Sequence, residues 1–280
     1  MLLRSYEPHE LRFAYCYRVY FRWQTFRRRR YAPLAKLTKR QLNDLVQGHQ
    51  IRVLELTCRD SDLLVIVSLL PHETISACAS KLKGRISKWL REKLELTNRT
   101  KLLSRSYFAC TVGNSKAKVI ERYLDKQAEH HGYAGRVLPP VFVKQYNLTQ
   151  RSEALLAPKH ARVIARFHIV LSTQKRLGII GSQEALRITS EWRKAQTNLR
   201  TVIEKVSFVP DHVHVALRTH PACSPANIIA ALMNLAQEVM QNSLIAAGLD
   251  RLWEFSVYLG AYGDLASPQL RRYLENFRFD

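Results

Sequence analysis

Long apolar runs and paired cysteines are both missing from this sequence. No apolar stretch approaches the roughly 20 residues needed to span a bilayer, so no membrane helix is predicted. The five cysteines include no Cys-x-x-Cys pair, and such an odd, scattered set argues against a disulfide framework or a structural zinc site. We therefore expect a protein of a reducing compartment, the cytoplasm, with no membrane partner.

Acidic residues are also scarce. The 280-residue chain has 44 Lys and Arg against 23 Asp and Glu, which gives a net charge of +21. A compact chain with this excess repels itself, and a polyanion relieves the repulsion, so nucleic acid is the leading partner class. A basic protein without that role, such as a ribosome-associated factor, would have a similar composition. Hydrophobic residues make up 46% of the chain, which is enough for a packed core.

The chain repeats itself. Three separated blocks of the first half match blocks of the second half, and each match uses an offset of 150 residues. The third match is the strongest, because both copies share an Arg-Tyr-Leu core with a glycine ten residues before its tyrosine. Chance similarity would not keep one register over three blocks, so we predict two copies of one domain. The paired blocks are 16–26 with 166–176, 58–69 with 208–219, and 106–127 with 256–277.

Each copy has the pattern of an α+β domain. The apolar periodicities predict, in order, a strand, a helix, two strands, a long helix, a further strand and a terminal helix. In the second copy, the long helix has a typical start at Ser224-Pro225. The other predicted elements lie near 12–23, 34–47, 51–57 and 63–70 in the first copy, near 162–173, 182–195, 201–208 and 212–218 in the second, and at 116–127 and 268–277 for the terminal helices.

The segment between the copies contains Pro139-Pro140 and several polar residues. Proline restricts the residue before it to extended backbone, so we predict an extended connection here. The domain boundary is placed near residue 148, and the two domains then span 1–148 and 149–280.

A His-x-His pair stands on a predicted strand of the second copy. Alternate residues of a strand point to one face, so His212 and His214 converge while Val213 and Val215 pack behind them. Two neutral imidazoles on one rigid element supply much of a divalent-cation site. A pair of hydrogen-bonded core histidines would show the same pattern, so the motif alone leaves both interpretations open.

A tyrosine and a glutamine stand four residues apart on the first copy's terminal helix. Tyr123 and Gln127 therefore share a helix face. A phenol is a poor nucleophile at its reference pKa of about 10, and it becomes useful when a metal polarises the phosphate that it attacks. Gln127 can add an oxygen ligand to such a metal. Taken singly, Tyr123 also fits a packing role and Gln127 a solvated one.

Together these motifs resemble the HUH single-tyrosine transposases, which include the REP-associated tyrosine transposases and those of small hairpin-ended insertion sequences. The resemblance rests on D-H-V-H before an apolar stretch and a helix, and on S-Y-F-x-x-T-V-G ending in Y-L-x-x-Q. It covers about 10–131 and 160–277. It implies that the histidine pair and the glutamine hold Mg²⁺ or Mn²⁺ and that the tyrosine attacks single-stranded DNA, leaving a 5′-phosphotyrosine. The family works as a homodimer in which one protomer's tyrosine helix can complete its partner's metal site.

The two copies depart from the family pattern in different places. The first copy has Asp62 and Leu64 at the positions of His212 and His214, and leucine cannot ligate a metal. The second copy keeps Tyr273 but has Phe277 in place of the glutamine. We therefore expect a monomeric pseudo-dimer with one live site, composed of His212, His214, Gln127 and Tyr123. In this hypothesis 1–148 is a degenerate domain that supplies the Tyr/Gln helix, and 149–280 supplies the metal site.

Other versions stay open. In one, Tyr273 is the nucleophile within the second copy and water replaces the missing ligand. In another, the chain is a domesticated transposase that binds a DNA or RNA hairpin without cleaving it. A replication or conjugation initiator shares the chemistry, but it usually carries helicase or origin-binding regions, for which this length leaves no room.

Two basic regions are candidates for binding nucleic acid. Four arginines follow an aromatic-rich segment, where guanidinium groups can hold phosphates and Trp23 can stack on unpaired bases. The predicted helix after Pro71 carries a second basic set, which can face a hairpin stem or water. The candidates are Trp23, Arg27, Arg28, Arg29, Arg30, Lys81, Lys83, Arg85 and Lys88.

The resemblance also implies the setting. The expected partner is single-stranded DNA with hairpin ends, with a guide RNA or another protein as a further partner that would direct target choice. The expected location is the nucleoid of a bacterial or archaeal cell.

Overall fold

The computed structural model describes residues 3–97, 100–113, 120 and 141–263. Among the described residues, no helix is both long and apolar enough to cross a membrane. The strands are β1 (Arg12–Cys16), β2 (Arg18–Gln24), β3 (Ile51–Cys58), β4 (Asp62–Leu69), β5 (Tyr107–Val112), β6 (Phe142–Gln145), β7 (Ala161–Ile164), β8 (Arg166–Thr173), β9 (Thr201–Val209), β10 (His212–Thr219) and β11 (Trp253–Tyr262). The helices are α1 (Ala32–Ala35), α2 (Lys39–Leu45), α3 (Ile75–Lys93), α4 (Gln150–Leu156), α5 (Ser182–Leu199) and α6 (Pro225–Ala246).

The strands form two sheets with corresponding orders. One sheet runs β1-β11-β8-β10-β9-β6 and the other runs β7-β5-β2-β4-β3, so β6 is an additional edge strand. The pairing registers also correspond. Arg18 lies opposite Ser68 and Val112 in one sheet, and Arg166 lies opposite Arg218 and Tyr262 in the other. The predicted α+β class with two copies of one domain is confirmed.

The 150-residue offset is wrong for the first repeated block. The sheet registers place His168 where Tyr20 stands in the first copy, and Val170 where Arg22 stands, which is an offset of 148. The second copy is longer by two residues between this block and the next strand. Since a strand repeats its pattern every two residues, a two-residue slip keeps every apolar side chain on its own face and goes unnoticed in the sequence.

The predicted opening strand of each copy is in fact two strands that belong to different sheets. β1 ends at Cys16 and β2 begins at Arg18, with the buried Tyr17 ring between them lying 5.1 Å from the Phe167 ring. β1 pairs in parallel with β11 of the second copy, and β7 pairs in parallel with β5 of the first. Each copy thus gives its first strand to the other copy's sheet. The apolar pattern runs on through the change of sheet, so the sequence does not reveal it.

Two further predictions change in the structure. The helix predicted over 34–47 is divided, because Thr38 caps the start of α2. The Thr38 hydroxyl accepts from the backbone N–H of Gln41, and the Gln41 side chain accepts from the backbone N–H of Thr38. Within the described part of the predicted extended connection, β6 is extended and pairs with β9, whereas α4 is a helix that the prediction missed. The terminal helices predicted over 116–127 and 268–277 lie outside the described residues, apart from Ile120.

The helices pack on one face of each sheet. On β10, Val213 and Val215 are fully buried and join the main hydrophobic core with Ile229 and Met233 of α6. Trp192 of α5 donates a hydrogen bond to the Leu232 carbonyl at 2.7 Å, which ties the two helices together. Because side chains alternate along a strand, the opposite face of β10 presents the two histidines.

Candidate active site

The His-x-His pair lies on the face of β10 that points away from α6. His212 is 3% exposed and His214 is 2% exposed, and their ring centroids are 5.1 Å apart at an interplanar angle of 65°. The strand alternation predicted from the sequence therefore brings the two imidazoles together. β10 is an interior strand, flanked by β8 and β9, so its backbone holds the pair rigidly.

A carboxylate and an arginine orient His212. Its Nδ1 lies 2.7 Å from Oδ1 of Asp211, and the other carboxylate oxygen of Asp211 lies 2.9 Å from Nε of Arg176. A carboxylate oxygen can only accept, so Nδ1 carries the proton and the lone pair of His212 is on Nε2. Histidine ligands of protein metal sites are commonly anchored in this way.

A third histidine orients His214. Nε2 of His168 lies 2.9 Å from Nδ1 of His214, and the two rings are stacked 5.2 Å apart. Burial lowers the pKa of His168 to about 4, so this ring is neutral at pH 7. Two neutral imidazoles share one proton in such a contact. When Nδ1 of His214 donates to His168, the lone pair of His214 is on Nε2, the same atom as in His212.

The donor set fits a divalent cation. Both histidines stand on one strand face; Asp211 leaves Nε2 as the free nitrogen of His212, and His214 presents the same atom when its Nδ1 donates to His168. Imidazole nitrogen is a common ligand of transition-metal cations, whereas Mg²⁺ prefers oxygen ligands. Over the described residues, no group of three His, Cys, Asp or Glu side chains is arranged to hold a metal. The expected third ligand, Gln127, and both candidate nucleophiles, Tyr123 and Tyr273, lie outside the described residues.

A residue of the first copy packs on the histidine face of the second. Ala216 follows His214 by two positions on β10, so it shares that face. Ala216 and Tyr262 form a small buried cluster separate from the main core, and Ile120 packs against it. Ile120 precedes Tyr123 by three residues. This contact connects the tyrosine segment of one copy to the histidine sheet of the other.

Tyr262 is not a suitable nucleophile, although its side chain lies on the same face. Its hydroxyl donates to Glu204 at 3.0 Å, and Glu204 also accepts from Nε of Arg218 at 2.5 Å. Burial, with Glu204 beside it, raises the pKa of Tyr262 well above the usual phenol value. A phenol held protonated in this way supports the sheet rather than attacking a phosphate.

The corresponding face of the first copy has an apolar cluster and an ion pair in place of the histidines. Leu64 stands at the position of His214, and it forms a buried cluster with Tyr20, Ile66 and Val112. Asp62, at the position of His212, lies 3.8 Å from the guanidinium of Arg22 and accepts from the Ser61 hydroxyl. A face with one arginine-paired carboxylate and a leucine offers no pair of metal ligands.

The nucleic-acid candidates around the arginine run have different environments. Trp23 is 1% exposed and its ring stacks on Phe21 at 4.9 Å, so the expectation that it stacks on bases is wrong. The strand alternation turns this side chain into the core instead. The four arginines Arg27, Arg28, Arg29 and Arg30 are exposed. Arg27 lies over the Phe26 ring at 5.3 Å, and Arg30 is 3.6 Å from Asp60.

The basic residues of α3 are partly engaged within the protein. Lys81 donates to Glu73 at 2.7 Å, and Lys88 is 3.9 Å from Glu92. Arg85 donates to the imidazole of His49 at 3.0 Å. Burial, with Arg105 nearby, lowers the pKa of Lys83. The exposed ends of this set remain candidates for phosphate contact, with Lys81 the weakest because its carboxylate partner is so close.

Three orienting residues were not singled out in the sequence. Asp211 stands next to His212 in the D-H-V-H motif, so the sequence could have indicated it as a partner of that histidine. His168 reaches the site only through the register of β8 against β10, and Arg176 lies in the short turn that follows β8. The wrong offset also matched His168 with Arg18 and hid its correspondence to the buried Tyr20.

The chain matches the family model described as "Transposase IS200 like" twice, over residues 13–127 and 163–277. The chain belongs to the IS200-like transposase family. Both copies are matched almost throughout, and the function is accordingly of the transposase type. Tyr123 and Gln127 close the first matched range, and Tyr273 and Phe277 close the second.

Other comparisons add little to the family assignment. A protein of Deinococcus radiodurans R1, named as a candidate transposase, is 19% identical with a TM-score of 0.33, covering 40% of this chain and 90% of that one. A mutant chlorite dismutase from Candidatus Nitrospira defluvii is 12% identical with a TM-score of 0.21, covering 87% of this chain and 90% of that one. At these TM-scores neither likeness informs fold or function. No curated protein matches the chain.

Proposed function

We propose that this transposase cleaves and rejoins single-stranded DNA through a 5′-phosphotyrosine at one composite site. His212 and His214 of the second domain and Gln127 of the first would hold Mn²⁺ or Mg²⁺, and Tyr123 would be the nucleophile. The proposal takes 1–148 and 149–280 as the two domains of an intramolecular pseudo-dimer. Its substrate would be DNA with hairpin ends.

The observation that carries the proposal is the contact of Ile120 with the cluster of Ala216 and Tyr262. Three residues of chain span at most about 11 Å, so the Cα of Tyr123 cannot lie farther than that from the Cα of Ile120. Ala216 is itself only about 7 Å along β10 from His214. This bound supports Tyr123 as the nucleophile for the histidine pair. Tyr273, ten residues beyond Gly263, is under no comparable constraint.

The reaction follows from the roles of the side chains. The Tyr123 oxygen would attack the scissile phosphorus, forming the Tyr–O–P bond while the bond from phosphorus to the 3′ oxygen breaks. The released strand would take a proton and leave as a 3′-hydroxyl. Rejoining is the reverse attack by another strand's 3′-hydroxyl. A bound divalent cation would polarise the phosphate and offset the charge that develops on it.

The orienting contacts fix what the histidines contribute. Asp211 holds His212 and His168 holds His214, so neither ring has to turn when a cation binds. In the first copy, Leu64 and the Asp62–Arg22 pair supply no equivalent, which supports one live site rather than two.

The test is covalent adduct formation on labelled single-stranded element ends, resolved on a denaturing gel. Wild type is expected to form the adduct with Mn²⁺ and to lose it in EDTA. His214→Leu, which installs the first copy's residue, is expected to reduce adduct formation by about 100-fold or more, because the ligand pair is broken. Asp62→Asn is the matched control in the first copy and should keep the adduct.

Three results would count against the proposal. An adduct that forms equally well in EDTA, or with His214→Leu, would remove the metal site from the reaction. Wild type that binds authentic ends but forms no adduct would favour the alternative, a domesticated protein that binds hairpins without cleaving them.

A further inference from the structure

A cavity of about 590 Å³ opens on the first copy's sheet, on the face that corresponds to the histidine face. Arg22 of β2 lies opposite both Leu64 and Phe108, and Arg162 of β7 lies opposite Phe108. The lining therefore combines β2 and β5 with the strand donated by the second copy. Its polar and aromatic side chains include Arg22, Gln24, Phe108, Lys159, His160 and Arg162.

The cavity is more basic than the corresponding region beside the histidines. By the sheet registers, Arg22 corresponds to Val170 of the other sheet, and Arg162 corresponds to Ala14. By the same offset of 148, Lys159 corresponds to Leu11. Three cations thus line the first copy's sheet at positions where the second copy's sheet has Val170, Ala14 and Leu11, although Arg12 stands in that sheet at the position of His160. The sheet without the histidine pair therefore has a positive pocket on the corresponding face.

One carboxylate lies nearby. Asp62 is 3.8 Å from Arg22 and offsets part of its charge. Lys159 and Arg162 stand exposed at the rim, where they can meet a solvated anion. The local balance therefore stays positive, and it favours a ligand with more than one negative charge.

We propose that this cavity binds single-stranded DNA without cleaving it. Arginine guanidinium groups bind phosphate oxygens through paired hydrogen bonds, and Lys159 adds a third positive charge. The half-buried Phe108 ring offers a surface on which an unpaired base can stack. The volume of about 590 Å³ lies in the range of small-molecule pockets and is large enough for one nucleotide.

The consequence is a division of labour between two corresponding faces of one chain. The histidine face cuts, and the basic cavity holds a strand of the same DNA. This inference rests on the proposed function only for the identity of the nucleic acid, since binding in the cavity needs neither the metal nor a tyrosine.

The experiment measures binding of a fluorescent ten-nucleotide oligothymidylate to the full chain in EDTA, where no cleavage chemistry operates. The double substitution Arg22→Val with Arg162→Ala installs the residues found at the corresponding positions of the second copy's sheet, Val170 and Ala14, and removes two charges. We expect binding to weaken by about fivefold or more, and the dependence of log Kd on log salt to flatten by about 1.4, the value for two phosphate contacts on a single strand.

The matched control is Arg187→Ala with Lys194→Ala, which removes the same charge from exposed positions of α5. It is expected to weaken binding less than twofold, because these residues lie on the helix-covered side of the second copy's sheet, opposite the histidine face. Equal losses in the two double variants would overturn the proposal, because binding would then follow net charge alone. Tighter binding of an oligouridylate of the same length would overturn the assignment to DNA.

A second measurement separates this inference from the proposed function. Mn²⁺-dependent adduct formation by the wild type is measured alongside its oligonucleotide binding. A wild type that binds the oligonucleotide through the cavity but forms no adduct would contradict the proposed function and leave the inference standing. Normal adduct formation together with unchanged binding by the double variant would contradict the inference alone.

Discussion

At the scale of single residues, the decisive feature is the choice of tautomer at the histidine pair. A histidine offers a metal only the nitrogen that does not carry the proton, so the partner of the other nitrogen decides which atom is presented. Asp211 can only accept, and it therefore fixes His212. His168 can accept or donate, so the orientation of His214 depends on a neutral ring that burial keeps unprotonated.

Replacing His168 by tyrosine, the residue at the corresponding position of the first copy, should reverse the tautomer of His214. His168→Tyr introduces the side chain of Tyr20, whose hydroxyl can donate to Nδ1 of His214 and move the proton to Nε2. We expect Mn²⁺ affinity to fall by about 10- to 100-fold, the usual effect of losing an orienting partner. Nitrogen-15 NMR of the metal-free protein should show His214 changing from the Nδ1–H to the Nε2–H form.

The conservative variant provides the control. His168→Gln keeps an acceptor oxygen near Nδ1 of His214, so the tautomer and much of the metal affinity should be retained. If both variants keep the wild-type tautomer, His168 merely packs against His214. If wild type itself shows Nε2–H at His214, the proposed ligand atom is wrong.

The sequence predicted part of this site. Alternation along a strand was enough to place His212 and His214 on one face, because that pattern is local. The partners of the pair depend on the pairing of β8 with β10, which no local pattern encodes. The prediction for Trp23 was wrong for the opposite reason. Its aromatic, arginine-rich surroundings indicated an exposed side chain that stacks on bases, but its position in the strand alternation points the side chain into the core.

At the scale of elements, the exchange of first strands joins the two copies. The Thr111 hydroxyl of β5 donates to the Tyr262 carbonyl at 2.7 Å and accepts from the Arg166 N–H at 2.9 Å, so it bridges both sheets. Next to this bridge, a Cβ on Gly113 would lie 2.2 Å from the Ala261 carbonyl oxygen. The close approach of the copies therefore requires a glycine at this position.

Gly113→Ala should weaken the junction between the sheets. The new methyl group would meet backbone, which cannot move aside as a flexible side chain would, so we expect a loss of about 2–3 kcal/mol in the free energy of unfolding. Gly84→Ala on α3 is the matched control. It meets nothing within 4 Å and should stabilise by about 0.5–1 kcal/mol through helix propensity.

Urea denaturation of the two variants measures both effects. Equal stability of Gly113→Ala and wild type would show that the sheets approach less closely than described. The element order of each copy followed from periodicity, but the exchange did not. A strand that leaves one sheet and enters another keeps the same alternation, so the break at Tyr17 was invisible in the sequence.

At the scale of the whole molecule, the two copies have diverged in complementary ways. The second keeps two imidazoles with their orienting partners, and the first presents an apolar cluster around Leu64 on the corresponding face. The first copy's sheet also has a basic cavity on the face that carries the histidines in the second. The sequence indicated the complementary losses, because the substituted residues are visible by alignment. It did not indicate the cavity, whose lining joins strands from both halves.

The central claim is that Tyr123 of one copy serves the histidine pair of the other. The most direct test compares Tyr123→Phe with Tyr273→Phe for Mn²⁺-dependent covalent adduct formation on single-stranded element ends. Both substitutions remove only a hydroxyl, so each is the other's control. We expect Tyr123→Phe to abolish the adduct and Tyr273→Phe to retain it. Loss of the adduct with Tyr273→Phe alone would show instead that the second copy acts within itself.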